Sequence, residues 1–213
     1  MAKITMDGLR KVCPKTKTET LGLYINHIND FISTLTKEQA ACYIAHVAHE
    51  CARFTRMEEN LMYTAPRLVE VFHSKFKTLA DAAPYDRKPT MIASRVYANR
   101  YGNGDEKSQD GYNFRGRGAI MVTFKDNYKA LSKWLFKDER LLTDVAARDS
   151  LANNPEYAIK VANWYWSSRN LSALCSGDPA HAMLVTTKII NGGTNGYDDR
   201  LALWKIASTV VTD

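Results

Sequence analysis

The chain has 213 residues, of which 45% are hydrophobic and 24% charged, with few prolines and glycines and a net charge of +6. This composition is ordinary for a soluble globular protein, and the length suits one large domain or two small lobes around a real core. No run of about 18 apolar residues occurs, which excludes a membrane-spanning helix. The basic balance points to anionic partners such as acidic lipids or bacterial cell-wall polymers. The basic residues are scattered, with no run of five like charges, and this argues against nucleic acid.

The N-terminal stretch "MAKITMDGLRKVCPK" lacks the apolar middle of a secretory signal. Synthesis and folding in a cytoplasm are therefore expected, with any work outside it needing another exit route. Cysteines at 13, 42, 51 and 175 match no zinc-finger spacing. Buried free thiols are expected of them.

In chain order, "ETLGLYINHINDFIST" places Leu21, Leu23, Tyr24, Ile28, Phe31 and Ile32 on one helical stripe. "TKEQAACYIAHVAHECARF" opens with Thr36 and Gln39 at the spacing of a capping box. Tyr43, Ile44, Val47, Ala48 and Cys51 then recur at helical intervals, and the periodicity ends at Phe54. Thr64-Ala-Pro66 starts a short helix through Leu68, Val71 and Phe72. Residues 101 to 118, "YGNGDEKSQDGYNFRGRG", carry five glycines and read as a long functional loop, anchored by Tyr112, Phe114, Arg115 and Arg117. "AIMVTF" (119 to 124) is the best strand candidate. Helices are expected over 125–136 and 197–210, and after the Asn154-Pro155 and Asp178-Pro179 caps. Trp164, Tyr165 and Trp166 cannot all face one way on a helix, so at least one belongs to the core.

The stretch "AHVAHECARFTRMEEN" (45 to 60) offers three chemistries. A zinc peptidase uses H-E-x-x-H, but here the order is His46-Val-Ala-His49-Glu50, with Arg53 three residues further on. Sensitivity of activity to a chelator would be needed to support a peptidase of His46, His49 and Glu50. No metal and no cofactor are expected. A second chemistry is glycoside hydrolysis, which needs one protonated and one ionised carboxyl. Glu50 and Glu59 on one unbroken helix would be about 13.5 Å apart along the axis and face opposite ways. They work as a pair only if the chain turns back after Phe54. Glu50 follows an apolar face, where partial burial favours the protonated acid, and Glu59 lies in a polar segment that favours the ionised base. The third reading is structural: Glu50 in a buried salt bridge, Glu58 and Glu59 as surface charges.

Three segments, "AHVAHECARFTRMEENLMYTA", "IASRVYANRYGNGDEKSQDGYNFRGRGAIMVTFKDNY" and "IINGGTNGYDDR", in this order resemble family-19 glycoside hydrolases. That family holds plant-type chitinases and small phage or prophage lysozyme-like endolysins, and the likeness is nearest to the endolysins. It spans roughly residues 41 to 200. The resemblance implies a mostly α-helical, two-lobed, lysozyme-like fold. The whole of 1–213 would be one catalytic domain, with a cleft lined by about 50–64, 101–128 and 191–200. It also implies an inverting mechanism, with Glu50 as acid, Glu59 rather than Glu58 as base, and Thr123 helping to hold the attacking water. Asn127, Asn191 and Arg200 fall on substrate-binding positions, and Tyr63 and Tyr112 on cleft aromatics. Local roles compete with these: a strand hydrogen bond for Thr123, turn or cap work for the asparagines, and a hold on Asp198 or Asp199 for Arg200. Three positions depart from the family pattern: Met121 replaces a glutamine, Tyr112 a tryptophan, and Cys51 a small residue.

The resulting expectation is an endolysin that cleaves peptidoglycan glycan strands. It would be made in a bacterial cytoplasm and act on the wall in the periplasm after release through a holin pore or another export route. A monomer is the default for this size. The alternatives are a chitinase acting on poly-N-acetylglucosamine and a catalytically dead sugar-binding relative.

Overall fold

A computed structural model describes residues 1–213. The chain divides into two compact units. The first comprises Met1–Met57, Gly118–Met121 and Ser150–Asp213. The second comprises Glu58–Arg117 and Val122–Asp149. Both are built from helices. The sole sheet is a two-residue antiparallel pair, Lys3–Ile4 against Val211–Thr212, in the first unit. No helix is long and apolar enough to cross a membrane.

The first unit is organised around the helix Lys37–Glu50. Thr36 and Gln39 form the expected capping box, which satisfies two orphan backbone donors at once. Every residue from Ala40 to Val47 is buried, as is Ala48, so this helix is core on all sides rather than amphipathic. It packs mainly against Tyr197–Val210. Helices Pro155–Ser168 and Pro179–Asn191 begin as expected, with Asn154 and Asp178 accepting from the amides of Tyr157 and His181. Trp164 and Trp166 are both buried, and Trp166 meets Tyr43 edge-on at 5.3 Å. All four cysteines are free and buried.

In the second unit, the helix Ala65–Val71 starts after an extended Thr64, with proline at its second position. Leu61, Leu68, Phe76, Tyr85, Ile92, Ala93 and Val96 close its core. The helix Pro89–Val96 was not among the sequence expectations, whereas Lys125–Phe136 matches its expected bounds. The glycine-rich loop is ordered by polar anchors. Asn103 donates to the Tyr97 carbonyl and accepts from the Lys125 amide, each at 3.0 Å. Asp110 takes the Gly104 amide at 3.0 Å and the Lys125 ammonium at 3.1 Å. Phe114, Arg115 and Arg117 are buried, as their proposed anchoring role requires.

Three expectations fail. "AIMVTF" is not a strand. Met121 and Phe124 have φ of 52° and 80°, which no extended ladder tolerates, and only single bridges form, Arg117 with Val122 and Glu58 with Arg117. The stripe from Leu21 to Ile32 is broken between the helices Thr18–Gly22 and Ile25–Ile32, which leaves Leu23 55% exposed. The turn expected after Phe54 comes earlier, since the helix stops at Glu50. Ala52, Arg53 and Phe54 then take three successive left-handed conformations, φ 49°, 59° and 64°. Cys51 pins this turn: its thiol donates to the Val47 carbonyl at 2.9 Å and its sulfur accepts from the Phe54 amide at 3.2 Å.

Candidate active site

Glu50 is the last residue of its helix, in the first unit. Its Oε1 is ion-paired with Arg200, whose side chain is 1% exposed. Arg200 stands in the first turn of Tyr197–Val210 and is itself held from behind. Its Nη1 lies 3.0 Å from His46 Nδ1, and His46 Nε2 lies 2.7 Å from the Thr186 hydroxyl, which donates to the Ala182 carbonyl at 2.7 Å. Burial, then the neighbouring guanidinium, push the His46 pKa well below its ordinary value. A neutral His46 therefore accepts from Arg200 at Nδ1 and donates at Nε2. Arg200 does not hold Asp198 or Asp199. Asp199 takes His49 Nδ1 at 2.6 Å and Arg53 Nη2 at 2.5 Å. Burial works against the charge of Asp199, but those two partners keep its pKa below the usual carboxylate range.

Glu59, in the second unit, is held differently. Its Oε2 accepts the Tyr97 hydroxyl at 2.7 Å and its Oε1 the Gly116 amide at 2.7 Å, while its own amide donates to the Gly116 carbonyl. It is therefore not the solvated charge of a polar turn. Burial raises its pKa, and the Tyr97 and Gly116 hydrogen bonds and Arg115 offset part of that rise. The polar, solvated setting expected of Glu59 from the sequence is not the one found, because the fold encloses this carboxyl.

Glu58 is half-exposed but held in ion pairs. Arg115 grips it with Nε at 2.9 Å and Nη2 at 3.1 Å. Arg117 stands 3.6 Å away and also binds Asp149 at 3.0 Å. These arginines brace the turn that presents the Gly116 amide to Glu59. The glycine that closes this R-G-R-G run has a packing reason of its own. Gly118 has φ +80°, and a Cβ there would lie 2.5 Å from that of Val161.

Each remaining candidate has local surroundings within its own unit. Thr123 lies one residue before the strained Phe124, and its carbonyl accepts the Asn127 side-chain amide at 2.8 Å. Asn127 thus does local work in the first turn of its helix. Asn191 is the exposed last residue of Pro179–Asn191, followed by the left-handed Gly192, which suits turn work. Tyr63 packs edge-on against Phe72 at 5.2 Å, and Tyr112 lies under the Arg115 guanidinium at 4.2 Å. Glu59 and Tyr112 share the lining of a cavity of about 190 Å³ with Asn60, Met62, Pro89 and Arg115. A larger cavity of about 550 Å³, lined by Val12, Arg53, Asp199 and Leu203 among others, does not include Glu50.

Sequence reasoning missed Tyr97, His46 as the prop of Arg200, and the Gly116 amide. Tyr97 stands inside a segment that carried the family resemblance, "RVYANRYGNG", but nothing there marks it as a partner of Glu59. Chemically, Glu50 is a carboxyl with one oxygen fixed by a buried cation. Glu59 is a desolvated carboxyl with a donor on each oxygen. Two carboxyls in such unlike settings are the raw material of general acid–base chemistry.

No family model matches the chain. It is 41% identical over 179 residues to a glycosyl hydrolase family 19 domain-containing protein of Haemophilus influenzae, covering 84% of this chain and 82% of that one. It is 26% identical over 172 residues to the endochitinase CHI of Arabidopsis thaliana, covering 79% of this chain and 49% of that protein. Its fold resembles chitinase C from Streptomyces griseus HUT6037 with a TM-score of 0.56 at 18% identity, covering 97% of this chain and 91% of that one. With 41% identity to the Haemophilus protein over most of both chains, this chain belongs to glycosyl hydrolase family 19.

Proposed function

We propose that this glycoside hydrolase cleaves the glycan strands of bacterial peptidoglycan by inversion, with Glu50 as general acid and Glu59 as general base. The setting of Glu59 carries this reading. Two accepted hydrogen bonds favour the ionised form of Glu59, while its burial makes it a stronger base than an exposed glutamate. Arg200 engages Oε1 of Glu50, which leaves Oε2 to carry the proton for the leaving oxygen. Thr123 would orient the attacking water, and Tyr63, Tyr112, Asn127, Asn191 and Arg200 would contact the sugars. The net charge of +6 suits an anionic wall. Its place of work would be the periplasmic wall, in the manner of an endolysin.

The experiment is digestion of purified peptidoglycan, followed by mass spectrometry of the new reducing ends and NMR of the first anomer released. Release of the anomer opposite to that of the cleaved linkage supports inversion, and retention ends it. Cleavage of chitin oligomers with intact peptidoglycan would favour the second reading, a chitinase, which the names of the plant and Streptomyces relatives support.

A variant of the mechanism with the two roles exchanged also has an observation behind it. The raised proton affinity lies at Glu59, and Glu50 sits against a cation. A substrate with a good leaving group separates the two, because it needs no acid. Glu50→Gln retains turnover on such a substrate if Glu50 is the acid, and Glu59→Gln retains it if the roles are exchanged.

A further inference from the structure

Tyr97 is the C-terminal neighbour of the helix Pro89–Val96, and its ring is wedged rather than free. It meets Phe124 edge-on at 5.3 Å, and Phe124 meets Tyr101 at 4.8 Å. The Arg100 guanidinium covers Phe124 at 5.0 Å. Phe124 has φ 80° and ψ 145°, a backbone region that is essentially glycine's. An aromatic side chain persists there only where its surroundings fix it, and Tyr97, Tyr101 and Arg100 supply those surroundings. Below this stack, the Asn103 side chain ties the Tyr97 carbonyl to the start of the helix Lys125–Phe136. The Tyr97 hydroxyl thus projects from a ring fixed at both edge and backbone, and it meets Glu59 Oε2 at 2.7 Å.

We propose that Tyr97 is a positioning residue for Glu59, its wedged phenol fixing the carboxylate rotamer and favouring its ionised form. The inference rests on the reading of Glu59 as a reacting carboxyl. Charged and titratable groups facing Glu59 are Tyr97, Arg115 and Glu58, with Tyr128 beyond. Those facing Tyr97 are Glu59, Tyr63 and Arg100. Burial, then the Glu59 charge, push the Tyr97 phenol well above its ordinary pKa, so it remains a donor at every working pH. Gly116 holds only Oε1. Without the phenol, the part-buried Oε2 would lose this donor, and the proton affinity of Glu59 would climb.

The test is Tyr97→Phe, which keeps the ring against Phe124 and removes only the hydroxyl. The pH profile of kcat/KM is measured beside a titration of the Glu59 carboxyl by carbon NMR. The carboxyl titration moves up by about one to two pH units. With Glu59 as base, the acid limb of the profile follows it, and turnover below that limb falls about tenfold or more. With the roles exchanged, the alkaline limb follows instead. Tyr97→Leu, which empties the wedge, additionally lowers the thermal midpoint. A Glu59 titration that does not move in Tyr97→Phe overturns the inference, whatever the activity. Full turnover in Glu59→Gln removes the reading beneath it, and the carboxyl titration still decides whether Tyr97 tunes that group.

Discussion

Around Glu50 the partner is a guanidinium sealed in the first unit, fixed from behind by a neutral histidine and a threonine. Around Glu59 the partners are a phenol and a backbone amide in the second unit, with arginines one residue away on Glu58. The first arrangement matches a charge with a buried charge, so the carboxylate is needed by its neighbour. The second surrounds a charge with dipoles and little water, so the fold bears the cost of keeping it ionised. Similar chemistry is therefore embedded in opposite energetic settings, and substitutions should tell them apart.

The largest effect is expected at Glu50. Glu50→Gln should abolish glycoside hydrolysis and also lower the thermal midpoint, because Arg200 loses the only carboxylate on it and is itself buried. The stability loss should be on the order of 3 kcal/mol, the low end for removing one member of a buried pair because Glu50 keeps some solvent. Unchanged turnover would dismiss Glu50 from the reaction. An unchanged midpoint would mean that Arg200 is satisfied without it.

Glu59→Gln should abolish hydrolysis equally while moving stability the other way. The folded-state pKa of Glu59 is raised, so its favourable contribution is complete below the unfolded value and is lost as pH rises through the folded one. At pH 7 the ionised group is a net cost, and its neutral isostere should hold or raise the midpoint. That advantage should vanish as pH falls towards about 4, where the wild-type carboxyl is protonated too. A midpoint lowered at pH 7 would erase the contrast between the two carboxylates.

Thr123→Ala should sharpen the comparison on the Glu59 side. Turnover should fall by roughly 10- to 1,000-fold with little change in KM, as for other groups that act only in the transition state. Undiminished turnover takes Thr123 out of the mechanism. The smallest effect belongs to Glu58→Gln: near-normal turnover with about 1 kcal/mol less stability, because Glu58 pairs with Arg115 and Arg117 but stays partly solvated. Loss of turnover as complete as in Glu59→Gln would mean that the neighbouring glutamate is the reacting one.

Much of the helical order was legible because capping and periodicity are local. Thr36 with Gln39, Asn154-Pro155 and Asp178-Pro179 each start a helix where the chain says so. The candidate carboxylates were legible through motif order and the resemblance it carries. Their environments were not. Apolar neighbours in sequence suggested partial burial for Glu50 but not its partner, since Arg200 comes from 150 residues away. The polar run around Glu59 suggested solvent, yet Tyr97 and Gly116 enclose it from 38 and 57 residues away. The strand expected over 119–124 failed because two left-handed residues turn that segment, and side-chain periodicity carries no trace of φ.

By itself, then, the sequence determined where several helices begin and which acidic residues merit attention, because these follow from bonds and contacts within a few residues. The tertiary structure alone decided which cation meets Glu50, which donors meet Glu59 and how much water each keeps. Those are set by desolvation and by groups far apart in the chain, and no local pattern encodes either.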